Sequence, residues 1–399
     1  MECVVLAAGE GRRMRPLTAT RPKVMLPLAN RPILEHLITA ARDAGIRDFV
    51  LVVGYREQEI RDHFGDGSRF GIRIRYVPQR HQLGTGDALR EAEGLVSGTF
   101  LLLNGDMIVR AESLQDFLRC SPPAMALSQS PRPQDYGVVV LDGGRVTDLD
   151  EKSPQPRSDL INAGAYLLDE GIFEILGSLP RSPRGEFELT DALSASIRDG
   201  TLRGHHLSSW MDAGYPWDLL EANRELLERE APAREGTIEE GVQLIGDVSV
   251  GAGSVIRTGT VIEGPCAIGS GCRIGPHAFI RGATSIGDRC HVGHASEVKN
   301  SVIFPETKLP HFNYVADSIV GSRCNFGAGT KVANLRHDHG EVKVCGRATG
   351  RTKFGAVVGD GVLFGINCSV NTGTIVGAGA RIAPHSYIHG CIEDGTEIR

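Results

Sequence analysis

Several common features are missing from these 399 residues, and each absence excludes something. No apolar run is long enough to cross a bilayer as a helix, so a membrane-spanning helix is not expected. An excess of positive charge is also missing. Lys and Arg number 43 against 49 Asp and Glu, and the net charge of −6 gives no support for a nucleic-acid partner. Anionic small molecules can still be met by local basic loops. The nine cysteines contain no CxxC and no Cys/His spacing, which argues against a disulfide or zinc framework. The opening MECVVLAAGEG enters a strand-like run at once and shows no secretory leader, so the cytoplasm is the expected location. Glycine, by contrast, is abundant at fifty residues, and its placement is informative.

The chain is long for one domain and changes its pattern partway. Up to about residue 220, short apolar runs (ECVVLAA, DFVLVVG, IRIRYVP, TFLLLNGD) alternate with helix-like segments (RPILEHLITAARDAG, TGDALREAEGLV). Such alternation predicts a mostly parallel sheet wrapped by helices, a Rossmann-like α/β domain. Ligands in these sheets sit at the carboxyl ends of strands, where GEG follows the first run and NGD the fourth. PWDLLEANRELLEREAPAREG reads as a helix and then a linker. The expected division is 1–222 for the α/β domain, 223–240 for the linker and 241–399 for the rest.

After the linker, aliphatic residues recur every six positions, from Leu244 and Val250 through Ile256, Ile262, Ile268, Ile274, Ile280, Ile286 and Val292 to Val298. The pattern returns at Val320, Phe326 and Val332, and again from Val358 to Ile388. This short fixed period predicts a hexapeptide parallel β-helix, three hexapeptides per coil, with residues eighteen apart stacked. A small residue precedes most anchors by two, and Cys266, Cys272, Cys290, Cys324 and Cys368 occupy that slot. Small inward-facing side chains account for all five, although a Cys272–Cys290 bridge is geometrically conceivable.

After Val298 the rhythm slips, and in LPHFNYVADSIVGSRCNFGAGT (309–330) His311, Tyr314 and Asn325 appear within fifteen residues. A β-helix by itself says only scaffold. The slip suggests that side chains are needed on the outside.

In the first half, LAAGEGRRMRPLTATRPKVMLPL combines a glycine turn with Arg12, Arg13, Arg15 and Lys23. Glycine turns let backbone N–H groups approach a phosphate, and cations offset its charge. This stretch, together with QRHQLGTGDAL, NGD and WMDAG in order, resembles sugar-1-phosphate nucleotidylyltransferases. The resemblance implies that Arg13 and Lys23 stabilise the triphosphate and that Gly9, Gly11, Gln79, Gly84 and Thr85 bind the nucleotide. It further implies that Asp106 and Asp212 hold Mg²⁺, and that Gly137, Glu151, Lys152 and Asn162 line the sugar-phosphate pocket.

Residues 299–338 resemble the acetyltransferase domain of bifunctional N-acetylglucosamine-1-phosphate uridylyltransferases, most nearly the archaeal type with its NLRHD run and TKFGAVVGD segment. By that likeness His311 is the general base. Tyr314, Asn325 and Asn334 would orient the amino sugar, and Arg281, Lys299 and Lys353 its phosphate. The Ala328 backbone would contact acetyl-CoA near the thioester. Ile366 departs from the bacterial pattern, which has a serine there for the cofactor. The family's coils are left-handed and trimeric, so a homotrimer or dimer of trimers is expected, with residues 333–355 reaching over a neighbouring subunit. Expected co-substrates are acetyl-CoA and UTP, acting on small sugar phosphates with no membrane or nucleic-acid partner. A second reading remains: a nucleotidylyltransferase for glucose or mannose 1-phosphate whose β-helix serves only assembly.

Overall fold

The computed structural model describes residues 1–182 and 184–399, which divide into two compact units. The first contains residues 1–10 and 33–212, and the second residues 11–32 and 213–399.

The first unit is built on a nine-stranded sheet. The four expected strands appear as Arg73–Pro78, Asp48–Val53, Glu2–Ala7 and Thr99–Asn104, side by side and parallel. Their interior residues, including Val4, Val5, Phe49, Leu51, Leu101 and Leu103, are fully buried, as a sheet covered on both faces requires. Glu2–Ala7 lies between Asp48–Val53 and Thr99–Asn104, where the strand order reverses, so its carboxyl end opens on the crevice that binds ligands in such sheets. Beyond Thr99–Asn104 the sheet becomes mixed, beginning with the antiparallel strand Leu160–Asp169. The predicted helices form over Ile33–Asp43 and, shorter than expected, over Thr85–Arg90.

The second unit is the predicted solenoid. Short strands stack into three parallel sheets of nine, eight and eight strands. Leu244, Ile262, Ile280 and Val298 are direct rung partners, eighteen residues apart. The six-residue anchors form one continuous buried core from Val248 to Ile388. Burying each Ile or Val contributes about 1.5–3 kcal/mol, which makes the inward register hard to violate. Cys266, Cys272, Cys290, Cys324 and Cys368 all line this core as free thiols. Burial pushes Cys266 and Cys324 up to about 12, so they behave as small apolar residues.

The rhythm slip does not break the solenoid. His291 is rung partner to Lys308, and Tyr314 to Lys331, each one residue short of the eighteen that separate Arg273 from His291. Ile303, Leu309, Val315 and Val320 carry the core through the slip. The larger excursion comes later. Val320 pairs directly with Val358, and residues 333–355 leave the solenoid between these rungs.

That excursion contains a small antiparallel hairpin, Lys343–Val344 with Arg347–Ala348, and returns to its own chain. Val342 and Val344 are buried, and Cys345 is disulfide-bonded to Cys391 across a Cα separation of 6.0 Å. This bond corrects the expectation that the cysteines make no disulfide. Its partners lie in the excursion and in the last coil, outside the anchor slot.

The helix Asp218–Leu227, expected to straddle a linker, belongs to the second unit and buries Leu219, Leu220, Asn223 and Leu226. Asn223 is completely buried. Its Oδ1 accepts from the Ala29 N–H and the Ser285 hydroxyl, both at 2.8 Å, and its Nδ2 donates to the Ala283 carbonyl at 3.0 Å. One amide thus joins the helix, the 11–32 segment and the solenoid. Asn223→Ala strands three buried polar groups, and we expect it to lower stability by about 1–3 kcal/mol in urea unfolding.

Candidate active sites

In the first unit, an open cleft of about 590 Å³ is lined by Gly54, Tyr55, Glu57, Pro78, Gln79, Arg80 and Gln82. It lies beside the carboxyl ends of Asp48–Val53 and Arg73–Pro78. Gln79 is buried, and its amide donates to the Gly84 carbonyl at 3.2 Å and to Asp87 Oδ2 at 2.8 Å, which leaves its carbonyl oxygen to accept from a ligand. Gln82 donates to the Ala8 carbonyl at 2.8 Å, next to Gly9. The Thr85 hydroxyl oxygen accepts from the Leu189 N–H at 3.1 Å. Asp87 and Gln82, which sequence reasoning missed, therefore fix the edge on which Gln79 and Gly84 stand.

The two proposed metal ligands are brought together by a small sheet. Met107–Val109 pairs antiparallel with Trp210–Asp212, placing Asp212 opposite Met107 and next to Asp106 in the register. The Trp210 indole N–H holds this ribbon to the Ala163 carbonyl at 2.7 Å. Two carboxylates from adjacent backbone positions suit Mg²⁺, which accepts one or two of them and completes its shell with substrate phosphate and water. Among the described residues no group of three potential ligands occurs that would close such a site without substrate.

The four proposed sugar-pocket residues also lie in this unit. Gly137 and Glu151 are cross-strand partners. Burial raises the Glu151 carboxyl above its ordinary value, while the charges of Lys152 and Arg184 pull it down. Lys152 adopts a left-handed backbone (φ 53°), with its N–H bonded to the Tyr136 carbonyl at 2.9 Å. Asn162 donates to the buried Tyr166 hydroxyl at 2.6 Å and accepts from the Gly164 N–H at 3.0 Å.

The cationic segment belongs to the second unit. Gly11 sits at φ 70°, and a Cβ there would come 2.6 Å from Lys23 Cβ, so glycine is needed both for the turn and for the approach of Lys23. Arg12–Met14 and Lys23–Met25 are single 3₁₀ turns, and Met14, Leu17, Leu26 and Leu28 are fully buried. The Arg13 guanidinium lies 5.2 Å from the Tyr215 ring centre, which Arg347 of the excursion also approaches at 4.7 Å.

On the solenoid, His311 ends the strand Lys308–His311 of one face, and Tyr314 begins Tyr314–Ala316 on the next. His311 is exposed at the corner between them. Asn313 pins this corner. It is buried, its Oδ1 accepts the His311 N–H at 3.2 Å, and its Nδ2 donates to the Gly327 carbonyl at 2.9 Å. The Gly329 N–H donates to the His311 carbonyl at 3.0 Å, bringing the GAGT turn to the same corner. There Ala328 accepts from the Asn367 N–H through its carbonyl, while its own N–H donates to none of the described residues.

Arg281, Lys299 and Ala316 are successive rung partners on Tyr314's face, so the two cations stack directly. Each is paired with a carboxylate that sequence reasoning missed. Arg281 binds Glu297 at 2.8 Å, and Lys299 binds Asp317 at 3.3 Å. Asp317 also accepts from Asn300 at 2.6 Å and from Asn334. Burial, then the charges of Glu297 and Asp317, raise the Tyr314 phenol, which keeps it a hydrogen-bond donor. Asn325 lies on the His311 face as rung partner of Lys308. Lys353 is exposed and bridges to Leu335 through the backbone. His311 and Tyr314 flank one edge of the solenoid, whereas Asn325 lies level with Lys308, at the other end of the His311 strand. The carboxylates were hidden because their partners are set by coil stacking and not by local spacing.

Comparison with known proteins adds to this geometry. Residues 2–229 match the model of the nucleotidyl transferase family, and residues 262–396 that of the GMPPB C-terminal domain. The chain is 40% identical over 403 residues to a bifunctional protein GlmU of Methanocaldococcus jannaschii, covering all of this chain and 97% of that one. It is 36% identical to a bifunctional sugar-1-phosphate nucleotidylyltransferase/acetyltransferase of Sulfurisphaera tokodaii, covering 98% and 97%. The crystal structure of a putative glucose-1-phosphate thymidylyltransferase from Bacillus anthracis, in complex with sucrose, superposes with a TM-score of 0.53 at 27% identity. That match covers 58% of this chain and 97% of the other.

Asp317 holds Lys299 and Asn334 on one carboxylate. Asp317→Ala should therefore weaken binding of glucosamine 1-phosphate, measured by calorimetry, about tenfold, the effect of one charge-assisted hydrogen bond.

Proposed function

This chain belongs to the nucleotidyl transferase family and matches archaeal bifunctional GlmU proteins along its whole length, and we propose that it builds UDP-N-acetylglucosamine in two steps at two sites. The solenoid transfers acetyl from acetyl-CoA to glucosamine 1-phosphate. The N-terminal domain joins the product to UMP from UTP and releases pyrophosphate. The observation that carries the reading is His311, exposed at the solenoid corner that opens the face on which Arg281 and Lys299 stack.

For acetyl transfer, Arg281 and Lys299 hold the sugar phosphate, with Lys353 as a third cation. Tyr314, Asn325 and Asn334 orient the amino sugar. The His311 imidazole takes a proton from the substrate ammonium, and the freed amine attacks the thioester carbonyl. The Ala328 N–H donates to the oxyanion that forms, and the C–S bond breaks to release the thiol of coenzyme A, which takes up a proton. Ile366, which is exposed, stands in place of the bacterial serine and would offer the coenzyme an apolar contact.

For nucleotidyl transfer, a phosphate oxygen of N-acetylglucosamine 1-phosphate attacks the α-phosphorus of UTP, and pyrophosphate departs. Lys152 and Asn162, with Gly137 and Glu151, hold the attacking sugar phosphate. Gly9, Gln79, Gly84 and Thr85 position the nucleotide, and Arg13 and Lys23 with the Gly11 turn offset the charge of the departing pyrophosphate. A Mg²⁺ held by Asp106 and Asp212 would supply further neutralisation of the phosphates. The protein acts on small molecules, and we place it in the cytoplasm as a homotrimer or a dimer of trimers. No described helix is long and apolar enough to cross a membrane.

His311→Ala should lower thiol release from acetyl-CoA by about 10²–10⁴-fold and leave pyrophosphate release from UTP within twofold. Asp106→Asn should do the reverse, with acetyl transfer intact and nucleotidyl transfer lost. Equal loss of both activities in either variant would contradict a two-site enzyme.

A further inference from the structure

The solenoid carboxylate Asp360 makes two sets of bonds, and only one set is explained by the solenoid. At one corner of the coils, an aspartate accepts the backbone N–H of the coil before it. Asp288 accepts from Ser270 N at 2.7 Å, Asp394 from Ala378 N at 2.7 Å, and Asp360 from Ser322 N at 2.8 Å, each through Oδ1. Glycine precedes the donor residue in the earlier coil; a Cβ on Gly321 would lie 2.5 Å from Asp360 Oδ1. This is a structural ladder.

Asp360 alone of the three has its second oxygen engaged by a distant segment. Oδ2 accepts from the Thr20 hydroxyl at 2.7 Å and from the Arg21 guanidinium, which also donates to Ser322 Oγ at 2.9 Å. The Arg21 guanidinium lies 5.0 Å from the ring centre of the buried Phe304. The Asp360 side chain is 3% exposed and that of Arg21 16%, so the pair is shielded from solvent screening. A buried pair of this kind fixes one arrangement, because separating it leaves a charge without its partner. Thr20 and Arg21 lie three and two residues before Lys23 and follow the turn that carries Arg13.

We propose that Asp360 is a positioning residue for nucleotidyl transfer, acting through Thr20 and Arg21 on the segment that carries Arg13 and Lys23. A residue of the acetyltransferase scaffold thereby sets the geometry of the other reaction's cations. The proposal rests on the reading that Arg13 and Lys23 serve the triphosphate.

Asp360→Asn keeps the Oδ1 acceptor for Ser322 and replaces Oδ2 with a donor, which opposes Arg21 and can keep Thr20 only with the bond reversed. In the full-length protein we expect at least a tenfold fall in kcat/KM for UTP, read by pyrophosphate release. Acetyl transfer should stay near wild type, while the thermal midpoint falls because the Arg21 charge loses its buried partner. Arg21→Gln should produce the same fall from the other side, and the double variant should lose no more than the larger single loss. Asp288→Asn, the same change on a ladder aspartate that does not bond the 11–32 segment, should leave kcat/KM for UTP unchanged.

If Asp360→Asn does not fold, Arg21→Gln alone decides. The inference is overturned if kcat/KM for UTP stays within twofold of wild type, or if both activities fall together. Arg13→Ala separates the two levels of the claim. A large loss of nucleotidyl transfer there, with Asp360→Asn unaffected, rejects only the positioning role. If Arg13→Ala is itself fully active, the triphosphate reading falls and the inference with it.

Discussion

The solenoid depends on one constraint: each rung must send an aliphatic side chain into a channel already filled by the rungs above and below. Interiors pack at crystal-like density, so no polar group of any size can replace an anchor without a cavity or an unsatisfied bond. The free cysteines obey the same rule, since their thiols donate to backbone carbonyls within the wall, as Cys272 does to Gly287 at 3.1 Å and Cys324 to Gly359 at 3.1 Å. With the inside committed, chemistry is confined to outward-facing side chains on the faces, to the corners and to segments that leave the coil. His311, the GAGT turn and the corner aspartates are all at corners. Asn334, Lys353 and Arg347 are on the one long excursion.

The shortened coil shows how a repeat acquires a site without losing its core. Removing one residue between rungs shifts the corner while the anchors Ile303, Leu309, Val315 and Val320 stay buried. Asn313 stands in the slot that Ser254, Cys272 and Thr307 fill elsewhere and, like them, donates to a glycine carbonyl of the next coil, while its Oδ1 holds the His311 N–H at the exposed corner. The cations on the adjoining face are held by carboxylates. Glu297 and Asp317 neutralise Arg281 and Lys299 in the absence of ligand and fix their side chains, which lowers the ordering needed when a sugar phosphate binds.

Much of this was legible in sequence because period is a strong signal. The six-residue anchors, the inward thiols and the four parallel strands follow from spacing and local composition. Three features were not legible, for related reasons. Asp317 and Glu297 look like ordinary polar residues until the coils are stacked. Cys345 and Cys391 are 46 residues apart and share no register. The 11–32 segment reads as part of the α/β domain, yet its side chains meet partners some 340 residues away in the solenoid. Chain proximity predicts local elements well, and it says little about which surface a long polar segment will adopt.

The account claims that one chain acetylates an amino sugar phosphate and then activates the product. The most direct test supplies pure protein with glucosamine 1-phosphate, acetyl-labelled coenzyme A, UTP and Mg²⁺, and follows the label by chromatography. The account predicts that label appears in a UDP-linked sugar, with one free thiol and one pyrophosphate for each molecule formed. Label that stays on coenzyme A, while UTP is consumed with an unacetylated sugar 1-phosphate, would contradict it.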